Sequence, residues 1–222
     1  MTTYTGAVFN NGAIARLLEL AVACRRDGSR TLEDELARFC RTIGDTPQAA
    51  WAMPPATVAA LLDLASDEVA DVDPATLSAG FAEQLAEAAG DVPAPEFLRF
   101  LSRLVRLQDR EPIPDFDRLP MAAWEAELKF GRIRQFWWWV DSGEYEDFDE
   151  GVREGVASEH PSGCRSALAA LAAEIQEALL LFPTPSVPSD PVGGLAETAP
   201  WASRPVLEAI LRAIHAHVDE EH

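Results

Sequence analysis

The spacing of apolar residues predicts helices along most of the chain. Apolar positions recur every three or four residues, and no stretch shows the strict apolar–polar alternation of a half-buried strand. Together with Pro, Gly and capping residues, this pattern predicts helices over residues 12–28, 31–44, 54–69, 74–90, 95–108, 121–141, 144–158, 162–181 and 203–220. Because short loops join many of them, we expect an all-α single helical domain of about nine or ten helices in antiparallel hairpins.

Local signals mark where several of these helices begin and end. Thr31 opens the sequence Thr-Leu-Glu-Asp, which resembles a capping box with Asp34 in the last position. Gly90 follows the last apolar position of its helix, where a C-terminal glycine is common. Pro47 is expected to open a short turn that carries Trp51.

Proline-rich segments suggest how the chain is organised. Residues 110–120 contain three prolines and form a possible subdomain boundary. Residues 183–200 contain five prolines and two glycines, so they predict a surface loop or linker. We therefore expect a helical body over residues 1–182, a Pro/Gly-rich loop over 183–200, and a C-terminal helix within 201–222 that packs on the body.

Charge limits the classes of partner. The 222 residues carry a formal net charge of −19, and 17 of the 18 cationic side chains are arginine, as is common in proteins from GC-rich bacterial genomes. Such an acidic chain disfavours nucleic acid and anionic membranes, and favours a cationic partner. Its apolar runs are shorter than the roughly 20 residues of a membrane span, and its N-terminus does not resemble a secretory signal. We expect a cytoplasmic protein.

Tryptophans are concentrated in the predicted helix 121–141. At about 100° per residue, one face of an ideal helix combines the apolar side chains expected in the core. These are Met121, Trp124, Leu128, Phe136 and Trp139. Phe130 and Trp137 lie nearly opposite, and Trp138 lies on a flank. Either this helix is covered on several sides, or Trp137 and Trp138 form an exposed patch.

An acidic run follows the tryptophans directly. Residues 135–159 hold eight carboxylates and one arginine, but they lack the residue order of a calcium-binding EF-hand loop. The run is either a solvated helix start or a docking face for a cationic partner. We call the predicted partner-binding residues the acidic-aromatic surface: Trp137, Trp138, Asp141, Glu144, Glu146, Asp147 and Asp149.

Arginines are the candidate anion contacts. Arg132 is predicted near the centre of the core face of helix 121–141, where it and Arg134 are possible ligand or anion contacts. A second set follows one face of helix 95–108 and predicts a solvated or salt-bridged stripe rather than a phosphate site. Its members are Arg99, Arg103, Arg106 and Arg110.

Cysteine and histidine positions predict neither a metal site nor a cofactor. The three cysteines are widely spaced without a Cys/His motif, so Cys24 and Cys40 are interpreted as buried, unreactive thiols. His215 and His217 are two residues apart, and thus on different helix faces. No catalytic triad motif or glycine-rich phosphate loop is present.

Three functions remain open from the sequence. The leading hypothesis is a non-catalytic acidic protein that binds a cationic protein, for example an immunity or antitoxin-type inhibitor. An alternative is an α-helical enzyme or small-molecule binder with a pocket formed by Trp137 to Trp139, Arg132, and Asp141 or Glu144. A further alternative is a helical subunit of a larger bacterial assembly, and homo-oligomerisation is also possible.

Overall fold

The computed structural model describes residues 5–45 and 52–221. Within these ranges the chain is all-α and contains no strand, which confirms the predicted fold class. The antiparallel hairpin arrangement stays a prediction. None of the described helices is both long enough and apolar enough to cross a bilayer. The turn expected from Pro47 to Trp51 lies outside the described residues.

The chain divides into two compact units, Met1–Leu119 and Pro120–His222. Of the described helices, the first unit contains α1 Gly12–Arg26, α2 Leu32–Asp45, α3 Pro55–Asp71, α4 Ala79–Ala89 and α5 Ala94–Arg110. The second contains α6 Ala123–Lys129, α7 Gly131–Gln135, α8 Trp137–Val140, α9 Phe148–Ala157, α10 Ala169–Leu181 and α11 Arg204–Glu221. Short 3₁₀ turns cover Ala7–Phe9, Pro74–Thr76 and Gly193–Leu195.

In the first unit, α3 and α5 form the most extensive helix pair. Small polar residues allow this close approach, because their hydroxyls bond to the backbone of the neighbouring helix. Ser102 Oγ donates to Ala59 O at 3.0 Å, and Ser66 Oγ donates to Pro95 O at 2.9 Å. Both serines are buried, so these bonds satisfy polar groups that water does not reach.

Ion pairs on this helix pair confirm the salt-bridged interpretation of the arginine stripe at two of its positions. Arg99 pairs with Asp67 at 2.9 Å, and Arg106 pairs with Asp63 at 2.6 Å. The hydrogen bond from Arg106 lowers the pKa of the Asp63 carboxyl. Acidic side chains of α3 therefore neutralise this part of the stripe.

Helix ends in the first unit agree in part with the sequence signals. Thr31 Oγ1 accepts the Asp34 backbone N–H at 3.1 Å, as a capping residue does. Gly90 follows α4 with φ +60°, a conformation that favours glycine. The predicted helix 74–90 is divided, however. Asp73 caps the separate 3₁₀ turn Pro74–Thr76, and α4 begins only after Ser78.

In the second unit, α10 and α11 pack together, and α11 also packs on α9. Leu207, Ile210 and Ile214 form the buried side of α11. The Pro/Gly-rich segment 183–200 contributes to the same core. Its apolar side chains Val192, Leu195 and Ala199 are fully buried. The second half of segment 183–200 therefore belongs to the core of the second unit, although the prolines of the segment prevent a regular helix.

Candidate functional site

The tryptophan-rich segment is divided into three short helices, so the predicted single helix 121–141 is wrong. The helical backbone is interrupted at Phe130, with φ −116° and ψ 41°, and again at Phe136. The non-helical dihedral angles at Phe130 turn the backbone away from the axis of α6, whereas Phe136 keeps right-handed helical dihedral angles. An angular count along one straight axis therefore assigns some side chains to the wrong face.

Glu174 on α10 stabilises the first of these interruptions. Its Oε2 accepts the backbone N–H groups of Arg132 and Ile133, at 2.8 and 3.1 Å. These are free donors in the first turn of α7, so a side chain from a distant helix serves as the cap. Lys129, at the end of α6, forms an ion pair with Glu177 at 2.7 Å. Glu174 and Glu177 of α10 thus hold the start of α7 and the end of α6 in place.

Burial of several side chains departs from the angular prediction. Phe136 is buried as predicted, but Phe130 is also fully buried although it was placed opposite the core face. Arg132 is exposed rather than near the core centre. Trp124, Leu128 and Trp139 are half-buried. The redirected backbone after Phe130 accounts for the position of Arg132, whereas Phe130 itself is buried on a second side of the segment, where its ring contacts that of Phe182.

Trp137 and Trp138 are the exposed members of the cluster. They are 45% and 47% exposed, and their rings meet edge to face with centroids 5.7 Å apart. Trp139 turns inward and contacts Tyr145, with ring centroids 5.7 Å apart. Two adjacent exposed indoles form an apolar surface of the kind used at protein interfaces.

The five carboxylates of the acidic-aromatic surface are all exposed. Asp147 also has a structural role, because its Oδ1 accepts the Asp149 N–H at 2.9 Å and caps α9. Partial burial and the nearby charges of Glu154, Glu144 and Glu150 raise the pKa of Tyr145. The negative field next to the tryptophans therefore acts on a neighbouring side chain.

Glycines of α9 determine how closely α8 approaches. A Cβ at Gly151 would overlap the backbone carbonyl oxygen of Trp139, and one at Gly155 would lie 2.7 Å from both Phe136 Cζ and Trp139 Cγ. Both glycines are buried. They were not singled out from the sequence, although their spacing of four residues places them on one helix face.

The two candidate anion contacts lie in different surroundings. Arg134 pairs with Glu127 at 3.5 Å. Arg132 lines a cavity of about 70 Å³ together with Trp139 and Glu159. That cavity does not include Trp137, Trp138, Asp141 or Glu144, which the pocket hypothesis combined with Arg132. It is also far smaller than the roughly 300 Å³ of typical ligand pockets.

A Cys/His cluster that was not predicted from the sequence lies in the second unit. The buried Cys164 Sγ is 3.7 Å from His160 Nδ1 and 3.3 Å from His217 Nε2. The expectation that no Cys/His cluster accompanies the cysteines is therefore wrong for Cys164. The only local signal was the spacing of four residues between His160 and Cys164, because His217 comes from α11.

Among the residues that the structure describes, no such cluster includes either of the other two cysteines. Burial is the main cause that raises the pKa of Cys24 to about 11 and that of Cys40 to about 12. Both thiols therefore stay protonated near neutral pH, and a protonated thiol is a poor nucleophile. This agrees with their interpretation as unreactive thiols, although each is only partly buried.

Glu174→Ala is expected to destabilise the protein by about 2 kcal/mol, because two N–H groups lose a charged acceptor. Glu174→Gln retains an acceptor oxygen and is expected to be far milder. Gln176→Ala, at an exposed position of the same helix, is the control and should change the free energy of unfolding by less than about 0.5 kcal/mol. Urea unfolding measures all three.

The pH dependence of Glu174 has a definite sign. Burial raises its pKa above the ordinary value of 4.5, despite the opposing hydrogen bonds from Ile133 and Arg132. The folded state thus binds the proton more tightly than the unfolded state, and this contribution is complete below the unfolded pKa. It is lost as pH rises through the folded pKa. The stability of the wild type relative to Glu174→Gln should therefore fall from pH 4 to pH 7; a constant difference would contradict this.

Comparison with known proteins supplies no further guide to this site. No family model, curated protein or solved structure matches the chain. Function must therefore be inferred from the exposed tryptophans, the surrounding carboxylates and the Cys/His cluster themselves.

Proposed function

We propose that this protein is a non-catalytic binding protein whose acidic-aromatic surface engages a cationic protein partner. Its specific form is an immunity or antitoxin-type inhibitor that covers the basic active site of a toxin or nuclease. The observation that carries the proposal is the exposure of Trp137 and Trp138, at 45% and 47%, directly before five exposed carboxylates.

The two kinds of side chain make different contributions to such binding. Buried tryptophans dominate many protein interfaces, and their removal typically costs about 2 kcal/mol or more of binding free energy. Carboxylates around them speed association with a basic partner and reject acidic ones. Since 135–159 carries a net charge of −7 from eight carboxylates and one arginine, the partner's contact surface is expected to be basic.

Cavity size favours a protein partner over a small molecule at this site. The cavity that holds Arg132 and Trp139 measures about 70 Å³, whereas drug-sized ligands occupy roughly 300–1,000 Å³. Trp137 and Trp138 do not line it. A protein partner can cover both exposed indoles with its broad contact area, whereas a metabolite covers only part of them.

The test begins by immobilising the wild-type chain and capturing a basic protein from a lysate of the cells in which the chain occurs. The captured protein is then purified for binding measurements. Trp137→Ser with Trp138→Ser is expected to weaken its binding by about 30-fold or more, the equivalent of about 2 kcal/mol. Leu180→Ser is the matched control, because Leu180 is 85% exposed and lies outside the surface. It should leave the dissociation constant unchanged within about twofold.

A second pair of variants tests the charge. Asp141→Asn with Glu144→Gln and Glu146→Gln should slow association by about tenfold at low salt, and high salt should remove most of that difference. The control removes three equally exposed charges of the first unit, at Glu68, Asp71 and Asp91. Equal effects of both sets, binding that ignores ionic strength, or failure to isolate any basic partner would refute the proposal.

A further inference from the structure

We infer that His160, Cys164 and His217 form a binding site for Zn²⁺. Across residues 5–45 and 52–221, this is the one group of three His, Cys, Asp or Glu side chains whose ligand atoms converge, all within 4.8 Å of one another. The site shares no residue with the acidic-aromatic surface, and it adds a metal ligand to the proposed protein-binding function.

Ligand spacing fits a tetrahedral zinc ion. With bonds of about 2.3 Å to sulfur and about 2.0–2.1 Å to nitrogen, tetrahedral angles place the sulfur and each nitrogen about 3.5 Å apart. Cys164 Sγ lies 3.7 Å from His160 Nδ1 and 3.3 Å from His217 Nε2. The two imidazoles are also nearly perpendicular, at 83° with ring centroids 5.4 Å apart. Small side-chain movements would bring all three atoms onto one ion.

Three separate elements bring the ligands together. His160 follows the end of α9, Cys164 begins a π-helical turn that leads into α10, and His217 lies in the C-terminal part of α11. α11 packs on both α9 and α10, so the packing of the second unit itself sets the ligand positions. π-Helical turns recur at functional sites because they redirect one side chain relative to the regular helix.

The chemistry of the donors limits the metal. One thiolate and two imidazoles suit zinc, and copper accepts the same donors, whereas Ca²⁺ and Mg²⁺ require oxygen ligands. Hydrogen bonds account for the two contacts to sulfur, since the thiol can donate to one ring nitrogen while its sulfur accepts weakly from the N–H of the other ring. A metal ion accounts in addition for the convergence of all three ligand atoms within 4.8 Å of one another.

Three protein ligands leave the fourth position of a tetrahedral zinc ion for water or another small ligand. The surroundings of the two histidines are open. His160 is exposed, and a cavity of about 280 Å³ lies beside His217, with Arg153 and Glu220 among its lining residues. Cys164 itself is buried, so the sulfur side of the site is shielded while the histidine side opens toward solvent.

The experiment titrates tag-free, metal-depleted and reduced protein with Co²⁺, and then with Zn²⁺. We expect one Co²⁺ per chain, with the thiolate-to-cobalt charge-transfer absorption and the strong visible bands of tetrahedral coordination. One equivalent of Zn²⁺ should displace the Co²⁺ and raise the melting temperature. Zn²⁺ affinity is measured by competition with a chromogenic chelator.

Variants identify the ligands. Cys164→Ser should abolish the charge-transfer absorption, and His160→Ala and His217→Ala should each weaken Zn²⁺ affinity at least tenfold. His215→Ala is the matched control on α11, and Cys24→Ser with Cys40→Ser is the control for the other thiols; neither should change the spectrum or affinity. Circular dichroism of the metal-free variants separates loss of ligand from loss of fold, and His217→Gln provides a milder second substitution.

Several outcomes would overturn the inference. These are the absence of Co²⁺ and Zn²⁺ binding to the folded wild type, an unchanged spectrum in folded Cys164→Ser, or loss of the absorption in the control cysteine variant. Binding of Cu⁺ without Zn²⁺ would also overturn it, since Cu⁺ accepts the same donors. Failure here would leave the proposal for Trp137 and Trp138 intact, because that experiment measures protein binding.

Discussion

Gly151→Ala is expected to destabilise the protein by about 2–3 kcal/mol, because the new methyl group has no space between α9 and α8. The methyl group would overlap the backbone carbonyl oxygen of Trp139, and Tyr145 Cβ would lie 3.3 Å away. A side chain can rotate away from a clash, but a backbone carbonyl moves only with its helix. The gain of about 1 kcal/mol in helix propensity offsets part of the cost.

The same substitution should displace the exposed tryptophans, since Trp137 and Trp138 belong to the short helix that must move. Urea unfolding measures the stability, and acrylamide quenching of tryptophan fluorescence measures the accessibility of the indoles. Gly131→Ala is the control, because a methyl group at Gly131 would meet no atom within 4 Å. The control should be neutral or slightly stabilising. Wild-type stability and quenching in Gly151→Ala would show that α8 does not depend on this close contact.

Gly155→Ala probes the same interface with softer neighbours. Its Cβ would meet the rings of Phe136 and Trp139 at 2.7 Å, and rings can shift where a carbonyl cannot. We expect a smaller loss of about 1–2 kcal/mol, within the usual range for overpacking. A larger loss of stability in Gly151→Ala than in Gly155→Ala would show that the rigid carbonyl of Trp139 sets the distance between the helices. Equal losses would indicate a general lack of space along α9.

Local sequence signals were sufficient for much of the fold. Apolar periodicity identified the long helices, and Thr31 and Gly90 marked helix ends that the structure retains. Such signals depend on residues within a few positions of one another, so the sequence displays them directly. The same reasoning singled out Trp137 and Trp138 as side chains that one helix face cannot bury, and both are exposed.

Long-range contacts explain what the sequence did not predict. The first interruption of the predicted helix 121–141 is capped by Glu174, which is more than 40 residues from the two N–H groups that donate to it. The Cys164 cluster depends on His217, which is 53 residues away on α11. Neither partner has a local pattern that identifies it. Tertiary packing alone brings Glu174 to α7 and His217 to Cys164. The structure therefore differs from the sequence-based prediction at these two places.

The two candidate sites of the second unit are connected through one helix. α9 begins within the acidic run, where Asp147 caps it and Asp149 lies in its first turn, and it ends three residues before His160. A substitution that shifts α9 would therefore affect both sites, whereas side-chain changes at Trp137 or Cys164 affect one. For this reason the binding and metal experiments use ligand or surface substitutions, and the glycine variants test only stability and the position of α8.

Arg41→Ala is expected to cost about 3 kcal/mol of unfolding free energy, because Arg41 attaches the proline-bearing connector to α2. Its guanidinium donates to Leu119 O at 2.9 Å and lies 4.3 Å from the ring centroid of Phe116. Arg41 is only 7% exposed, so truncation leaves a buried carbonyl without this donor and removes a cation–π contact. The buried aliphatic part of the side chain adds a packing loss.

Two variants separate the roles of charge and geometry at this position. Arg41→Lys keeps the charge but has a single terminal donor group in place of the planar guanidinium, so we expect an intermediate loss of about 1–2 kcal/mol. Arg26→Ala is the control, since Arg26 forms an exposed ion pair with Glu87 and should cost less than about 0.5 kcal/mol. Chymotrypsin should cleave Arg41→Ala faster after Phe116, because release of the connector exposes this site. If Arg41→Ala is as stable and as resistant as Arg26→Ala, other contacts hold residues 111–119 in place.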